Sequence, residues 1–260
     1  MITISSLWLS PEYLRINFNK TQEYSYLLYG IEIAELRNMS YSQEDPFVFI
    51  SEYKNPCWLE RLPWNYTAEY EATPYRRAGA KHIAGVRDIY NDRLQNNTSP
   101  WRMRCLPYFY LLGVTKCGTT DFVKALSRHE QIYWPWVTET MYWNRARYPE
   151  GVIVHQTTSV DHMRFSRFVN YFDYCAHKIN TTRDDQYCII GDDGSYYFWE
   201  DNGWPNHPGN KGLTEPRYTT SMALHTAQPE AKLIVLLRDP TERYPFYEYL
   251  LLYVYRHLLI

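Results

Sequence analysis

The 5 cysteines of this chain include no C-x-x-C pair, which argues against a zinc site, because zinc-binding modules bring their ligands in such close pairs. Charge of one sign is also missing. The net charge is −2, so no overall field draws in a polyanion, and nucleic acid is excluded as the main partner. An acidic substrate would have to meet a local basic patch. Long hydrophobic runs are absent from the opening residues: Met1-Ile2-Thr3-Ile4-Ser5-Ser6-Leu7-Trp8-Leu9 lacks a basic flank and is ended by Ser10-Pro11-Glu12. That segment fits neither a signal peptide nor a membrane span. There is no internal repeat and no low-complexity tract, which leaves the alternation of strands and helices as the guide to the fold.

What is present is an ordinary globular balance, 45% hydrophobic and 22% charged, sufficient for a packed core. The length of 260 residues suits one large α/β domain or two small ones. Aromatic residues are in excess: 26 Tyr and 9 Trp point to aromatic-lined surfaces or a partly polar core. Cys57, Cys105, Cys175 and Cys188 allow two bridges, and Cys175 with Cys188, close in sequence, is the easiest pair to close. Tripeptides at Asn38, Asn65, Asn96, Asn97 and Asn180 fit the N-glycosylation pattern. With disulfide-capable cysteines they favour a secretory lumen.

Residues 1–100 carry no sustained period and are expected to form an irregular stem or cap, with one helix over 76–90. Residues 101–260 read as the catalytic-type domain. Strands are expected at 106–112, 131–134 and 188–191, and helices at 121–129, 160–174 and 219–227. The apolar run at 232–237 suits a central parallel strand, and Pro240 opens a final helix at its first turn. Alternation of this kind implies an α/β fold, a parallel sheet flanked by helices with right-handed crossovers. The apolar helical pattern is still running at His257-Leu258-Leu259-Ile260, which predicts a domain incomplete at its C-terminus.

One loop carries most of the chemistry. Gly113-Val114-Thr115-Lys116-Cys117-Gly118-Thr119-Thr120 joins the first of these strands to its helix. A glycine turn feeding a helix N-terminus offers backbone N–H groups and the positive end of the dipole to an anion. A lysine and several hydroxyls add to that, so the expected ligand is a phosphate. An ATP- or GTP-binding loop reads G-x-x-x-x-G-K-[ST]. Here Thr119 follows the second glycine and Lys116 stands two residues before it. The displaced lysine argues against an ordinary NTPase and for a nucleotide whose terminal group leaves without a metal.

These residues, 106–120, resemble the phosphosulfate-binding segment of Golgi carbohydrate sulfotransferases, with N-acetylgalactosamine 4-sulfate 6-O-sulfotransferases as the most similar branch. Further matching runs follow in order: Thr138-Glu139 with Tyr142-Trp143-Asn144-Arg145, then Gly191-Asp192-Asp193-Gly194-Ser195, then Trp199-Glu200-Asp201-Asn202-Gly203-Trp204, then Arg238-Asp239-Pro240-Thr241-Glu242-Arg243. Several motifs in order are more specific than one loop. The resemblance implies a P-loop-like sulfotransferase fold, a Golgi lumenal location in a single-pass membrane protein, and 3′-phosphoadenosine 5′-phosphosulfate as co-substrate without a metal. It implies transfer of the sulfuryl group to a sugar hydroxyl of a glycan acceptor, of the chondroitin or dermatan type.

The same resemblance distributes the roles. Thr115, Lys116, Cys117, Gly118, Thr119 and Thr120 would hold the donor, with Lys116 on the bridging oxygen of the leaving phosphate and Arg238 on the 3′-phosphate. Glu139 would take the proton of the acceptor hydroxyl, with His129 and His155 as competitors for that role. Arg145, Trp143 and Trp204 would meet the sugar. Two departures stand out. Glu139 is flanked by Thr138 and Thr140 where the family often has Lys-Glu-Pro, and Phe246 occupies the serine position of R-D-P-x-x-R-x-x-S. Phe246 supports an alternative, a degenerate homologue that binds glycan or nucleotide without turnover.

Overall fold

The computed structural model describes residues 49–61, 76–96, 101–146, 165–181, 187–198, 204–206, 210–217 and 219–244. In chain order the elements are β1 (Cys57–Arg61), α1 (Arg76–Gln95), β2 (Trp101–Cys105), β3 (Phe109–Gly113), α2 (Thr119–Leu126) and β4 (Ile132–Tyr133). A π-helical turn, Tyr142–Ala146, precedes α3 (Phe165–Asn170) and α4 (Asp173–Thr181). Then come β5 (Ile189–Asp193), a 3-10 turn (Trp204–Asn206), α5 (Thr220–Ala227) and β6 (Lys232–Val235).

Strands β4, β5, β3 and β6 form, in that order, a four-stranded sheet in which every pairing is parallel. A parallel sheet must be covered on its faces, which is why the inner strand β3 carries no charged side chain. Phe109, Tyr110 and Leu111 of β3 are buried. The expected strand near 106–112 is therefore β3, shifted by a few residues, and it is one of the two inner strands, beside β5. The run at 232–237, expected to be central, is instead an edge strand among the described residues, with Leu233 56% exposed.

Main-chain termini and turns follow local chemistry. Thr219 caps α5, its hydroxyl accepting from the Met222 N–H at 3.3 Å. The single helix expected at 160–174 is two, α3 and α4, separated by Tyr171 and Phe172. Both residues are fully buried, so the chain bends where two large rings turn into the core. That core is dense in rings: Tyr142 stacks on Phe168 with centroids 4.4 Å apart, and Trp143 meets Phe168 edge-on at 5.5 Å.

A second layer lies across the boundary expected at residue 100. β1 and β2 pair antiparallel, Cys57 opposite Cys105, and these two cysteines form a disulfide. The pairing of Cys175 with Cys188, the easiest by sequence, is not made: the two form no disulfide with each other, and both are buried. Cys175 sits on α4, its thiol donating to the Trp134 carbonyl at 3.2 Å, and burial pushes its pKa up to about 12. Proximity in sequence decides only the entropy of closing a loop; the fold sent Cys175 and Cys188 to different elements.

The ribbon is bonded to the sheet by Asn55, buried, whose Nδ2 donates to the Cys188 carbonyl and whose Oδ1 accepts from the Ile190 N–H, both at 2.8 Å. Behind it Arg102 and Arg104 of β2 face Glu60 of β1 and Asp173 of α4, at 3.0 Å for Arg102–Glu60 and for Arg104–Asp173. All four are buried. Two cations and two anions balance, which is how such a charged layer survives desolvation. The segment 49–61 is thus packed onto the domain.

Candidate active site

In an open parallel sheet, ligands bind beyond the carboxyl ends of the strands, where the order reverses. Here that point is the end of β3, flanked by β5 on one side and β6 on the other. The loop 113–118 leaves it. Gly113 has φ 124°, and a side-chain carbon there would run into the Ser195 carbonyl oxygen beyond β5. Only glycine combines that dihedral with so close a backbone approach. The Val114 N–H donates to the Leu236 carbonyl at 3.0 Å, and the Leu236 N–H to the Gly113 carbonyl at 2.7 Å. These two bonds lash the loop to the residues just after β6.

Within the loop, the Cys117 N–H donates to the Val114 carbonyl at 3.1 Å, and Lys116 is left-handed at φ 65°. The turn therefore curls back on itself, with Lys116 half-buried at its tip. Gly118, at φ 90°, is the N-cap of α2 and supplies no side-chain cap. The first-turn N–H groups of α2 at Thr119 and Thr120 have no partner within the helix, the kind of position at which an anion can bind. Cys117 packs with Phe122 beside Leu111, Val123 and Leu236, so its side chain anchors the turn.

The β5 end carries the second half of the site. Asp192, Asp193 and Ser195 are all buried. Ser195 Oγ donates to Glu139 Oε1 at 2.6 Å, and the Glu139 N–H donates to Asp193 Oδ1 at 3.0 Å. Thr140 follows into a buried set: its hydroxyl donates to the Asp192 carboxylate at 3.1 and 3.2 Å and meets the Tyr197 hydroxyl at 2.7 Å. Burial, then the neighbouring Asp193 charge, pushes the Asp192 pKa well above the ordinary carboxylate value, against the hydrogen bonds from Thr140 and Tyr197. Asp193 is raised too, chiefly by burial. The Tyr197 hydroxyl is raised well above its usual value by burial and by Asp192.

The two halves meet at Ser195. Its carbonyl accepts from the Thr115 hydroxyl at 3.0 Å, while its own hydroxyl holds Glu139. Arg243, in the helical turn 240–244, completes the wall by donating from Nε to the Thr115 carbonyl at 3.0 Å. Arg238 follows β6 on the same side and is bridged to Glu242 at 3.4 Å.

Lys116, Glu139 and Arg238, far apart in sequence, thus come to one end of the sheet. Of the residues expected to meet sugar, Trp143 is 2% exposed and lies in the aromatic core. It is a packing residue, not a sugar platform, because the π-helical turn directs it inward against Tyr110 and Phe168. Arg145 belongs to the same turn, with its side chain outside the described part. Trp204 is half-buried in its 3-10 turn, where its carbonyl accepts from Asn210 Nδ2 at 2.8 Å. His129 lies on an exposed turn after α2, its Nδ1 accepting from the Gln131 N–H at 3.2 Å. His155 and Phe246 lie outside the described residues.

Sequence reasoning assigned no role to Ser195, Asp193 or Tyr197. The matching run 191–195 was the signal available, but a short polar strand end does not disclose which carboxylate or hydroxyl faces Glu139.

Among the described residues no helix is long and apolar enough to cross a membrane, and no group of three metal-binding side chains occurs. No family model matches the chain. Over 212 residues it is 31% identical to carbohydrate sulfotransferase 15 of Rattus norvegicus and equally to those of Mus musculus and Homo sapiens. These relatives are carbohydrate sulfotransferases. The alignment takes in 76% of this chain and 37% of each relative, so the chain spans a little over a third of their length. A solved sulfotransferase from Alicyclobacillus acidocaldarius aligns with a TM-score of 0.36 at 22% identity, over 56% of this chain and 50% of that one.

Proposed function

We propose that the chain is a carbohydrate sulfotransferase that moves the sulfuryl group of 3′-phosphoadenosine 5′-phosphosulfate onto a sugar hydroxyl. The acceptor oxygen attacks sulfur in line, the bond from sulfur to the bridging oxygen breaks, and adenosine 3′,5′-bisphosphate leaves. Reactions of this kind depend on positioning and on stabilising charge where it develops. Lys116 at the tip of the curled loop neutralises the departing phosphate, and Thr119 and Thr120 at the start of α2 hold it through N–H groups and hydroxyls. Arg238 takes the 3′-phosphate, exchanging its Glu242 partner for the ligand. Glu139 accepts the proton of the hydroxyl that attacks.

The observation that carries this reading is the meeting of loop and glutamate on one residue, Ser195. A phosphate loop alone is a binding site; a carboxylate anchored beside it supplies the proton acceptor that transfer to an alcohol needs. We take the acceptor to be a glycosaminoglycan, N-acetylgalactosamine 4-sulfate of the chondroitin or dermatan type at its 6-O position, in the Golgi lumen. The disulfide of Cys57 with Cys105 supports an oxidising compartment.

The test is transfer from radiolabelled donor to chondroitin sulfate, followed by sulfation-site mapping of the product. Lys116→Ala is expected to abolish measurable transfer, and Glu139→Gln to lower kcat by about 10²–10⁴. Transfer that survives both substitutions would refute the assignment. The non-catalytic reading is favoured by Phe246, where the family pattern has a serine. It predicts binding of adenosine 3′,5′-bisphosphate or of chondroitin without label transfer.

A further inference from the structure

We propose that Ser195 is a positioning residue, one that aims the Glu139 carboxylate at the attacking hydroxyl and fixes its separation from the donor loop. The inference rests on Glu139 being the base. Glu139 has φ 54°, a left-handed conformation that a non-glycine residue adopts only when its surroundings hold it there. Asp193 accepts its N–H, and the next residue, Thr140, is locked to Asp192 and Tyr197. Those bonds fix the backbone at Glu139. They leave the side-chain torsions of a glutamate unset.

The carboxylate itself is reached by Ser195, whose hydroxyl donates to Oε1 at 2.6 Å. A carboxylate has two oxygens and accepts on both. With Oε1 engaged, Oε2 is the oxygen presented to the substrate proton. Ser195 is 4% exposed, so its rotamer is set by packing. Its carbonyl, meanwhile, receives the Thr115 hydroxyl of the donor loop. One residue thus spans base and donor, and in-line transfer is sensitive to that spacing at the scale of an ångström.

Backbone and side chain of Ser195 do separable jobs, which makes the inference testable. Ser195→Ala removes the grip on Glu139 but keeps the carbonyl that holds Thr115. In the full chain, Ser195→Ala is expected to lower kcat about tenfold, equivalent to about 1.4 kcal/mol. The dissociation constant for adenosine 3′,5′-bisphosphate should stay within about twofold of the parent protein. Added to Glu139→Gln, it should cost nothing further, since the group it positions is gone. Ser195→Cys, nearer in size and a weak donor, should also lose kcat, and it serves if the alanine variant folds poorly.

Ser195→Ala and Ser195→Cys variants with parental kcat, beside an inactive Glu139→Gln, would overturn the positioning role while leaving the base in place. So would a full multiplicative loss in the double variant, or nucleotide affinity falling in step with kcat. Unimpaired transfer by Glu139→Gln, or none by the parent chain, would instead remove the base assignment, and the role of Ser195 with it.

Discussion

Gly113→Ala should weaken nucleotide binding, fold stability or both, because neither the dihedral nor the space at that position suits a side chain. The perturbation has two parts. At φ 124° an alanine is strained by about 1–3 kcal/mol. Its new carbon would also press on the Ser195 carbonyl, which accepts from Thr115; breaking that bond costs about 0.5–1.5 kcal/mol more. The sum is about 1.5–4.5 kcal/mol, divided between folding and binding according to where the chain gives way. If the loop yields, affinity for adenosine 3′,5′-bisphosphate falls by about 10- to 2,000-fold with a near-parental melting temperature. If the loop holds, the loss appears as stability instead. Titration calorimetry and thermal melts on the same preparation measure both shares. Parental affinity together with a parental melting temperature would refute the claim that Gly113 is fixed by the approach of Ser195.

Replacing both Cys57 and Cys105 by serine opens a loop with a sequence separation of 48, which should cost about 4 kcal/mol through the entropy of the unfolded chain. Melts with and without reductant test it, and identical curves for the parent protein in both would count against the bridge. Asp192→Asn bears on pH. The folded-state pKa of Asp192 is raised by burial, so the native state holds its proton more tightly than the unfolded chain. Stability from this group is therefore greatest below the unfolded value of about 4 and declines as pH rises toward the folded one. The asparagine variant should lack that decline, so its melting temperature relative to the parent rises as pH increases above about 4. A difference that is flat with pH would show that Asp192 is not protonated in the fold.

Some of this architecture was open to reading in the chain alone. The alternation of apolar runs with helical spacing located β3, α2, β5 and α5 to within a few residues, because local periodicity reports which face is buried. Thr219 and Pro240 marked helix starts by rules that need no tertiary contact. The geometry of the 113–120 loop was legible for the same reason: a strand, a glycine turn and a helix N-terminus are contiguous in sequence. Trp143 was misplaced because a tryptophan that stacks on sugar and one that fills a core look alike until the neighbours are known.

The sequence by itself determined the strand, glycine turn and helix start of the 113–120 loop, the displaced lysine and the parallel α/β class, since each depends on residues within a turn or two of one another. Only the tertiary structure decided that Cys57 pairs with Cys105, that β3 is an inner strand and the 232–237 run an edge among the described residues, and that Ser195 joins Glu139 to Thr115. Those facts depend on residues 48 to 123 positions apart along the chain being brought into contact. The hydrogen bonds involved act over about 3 Å, a range to which sequence distance is blind.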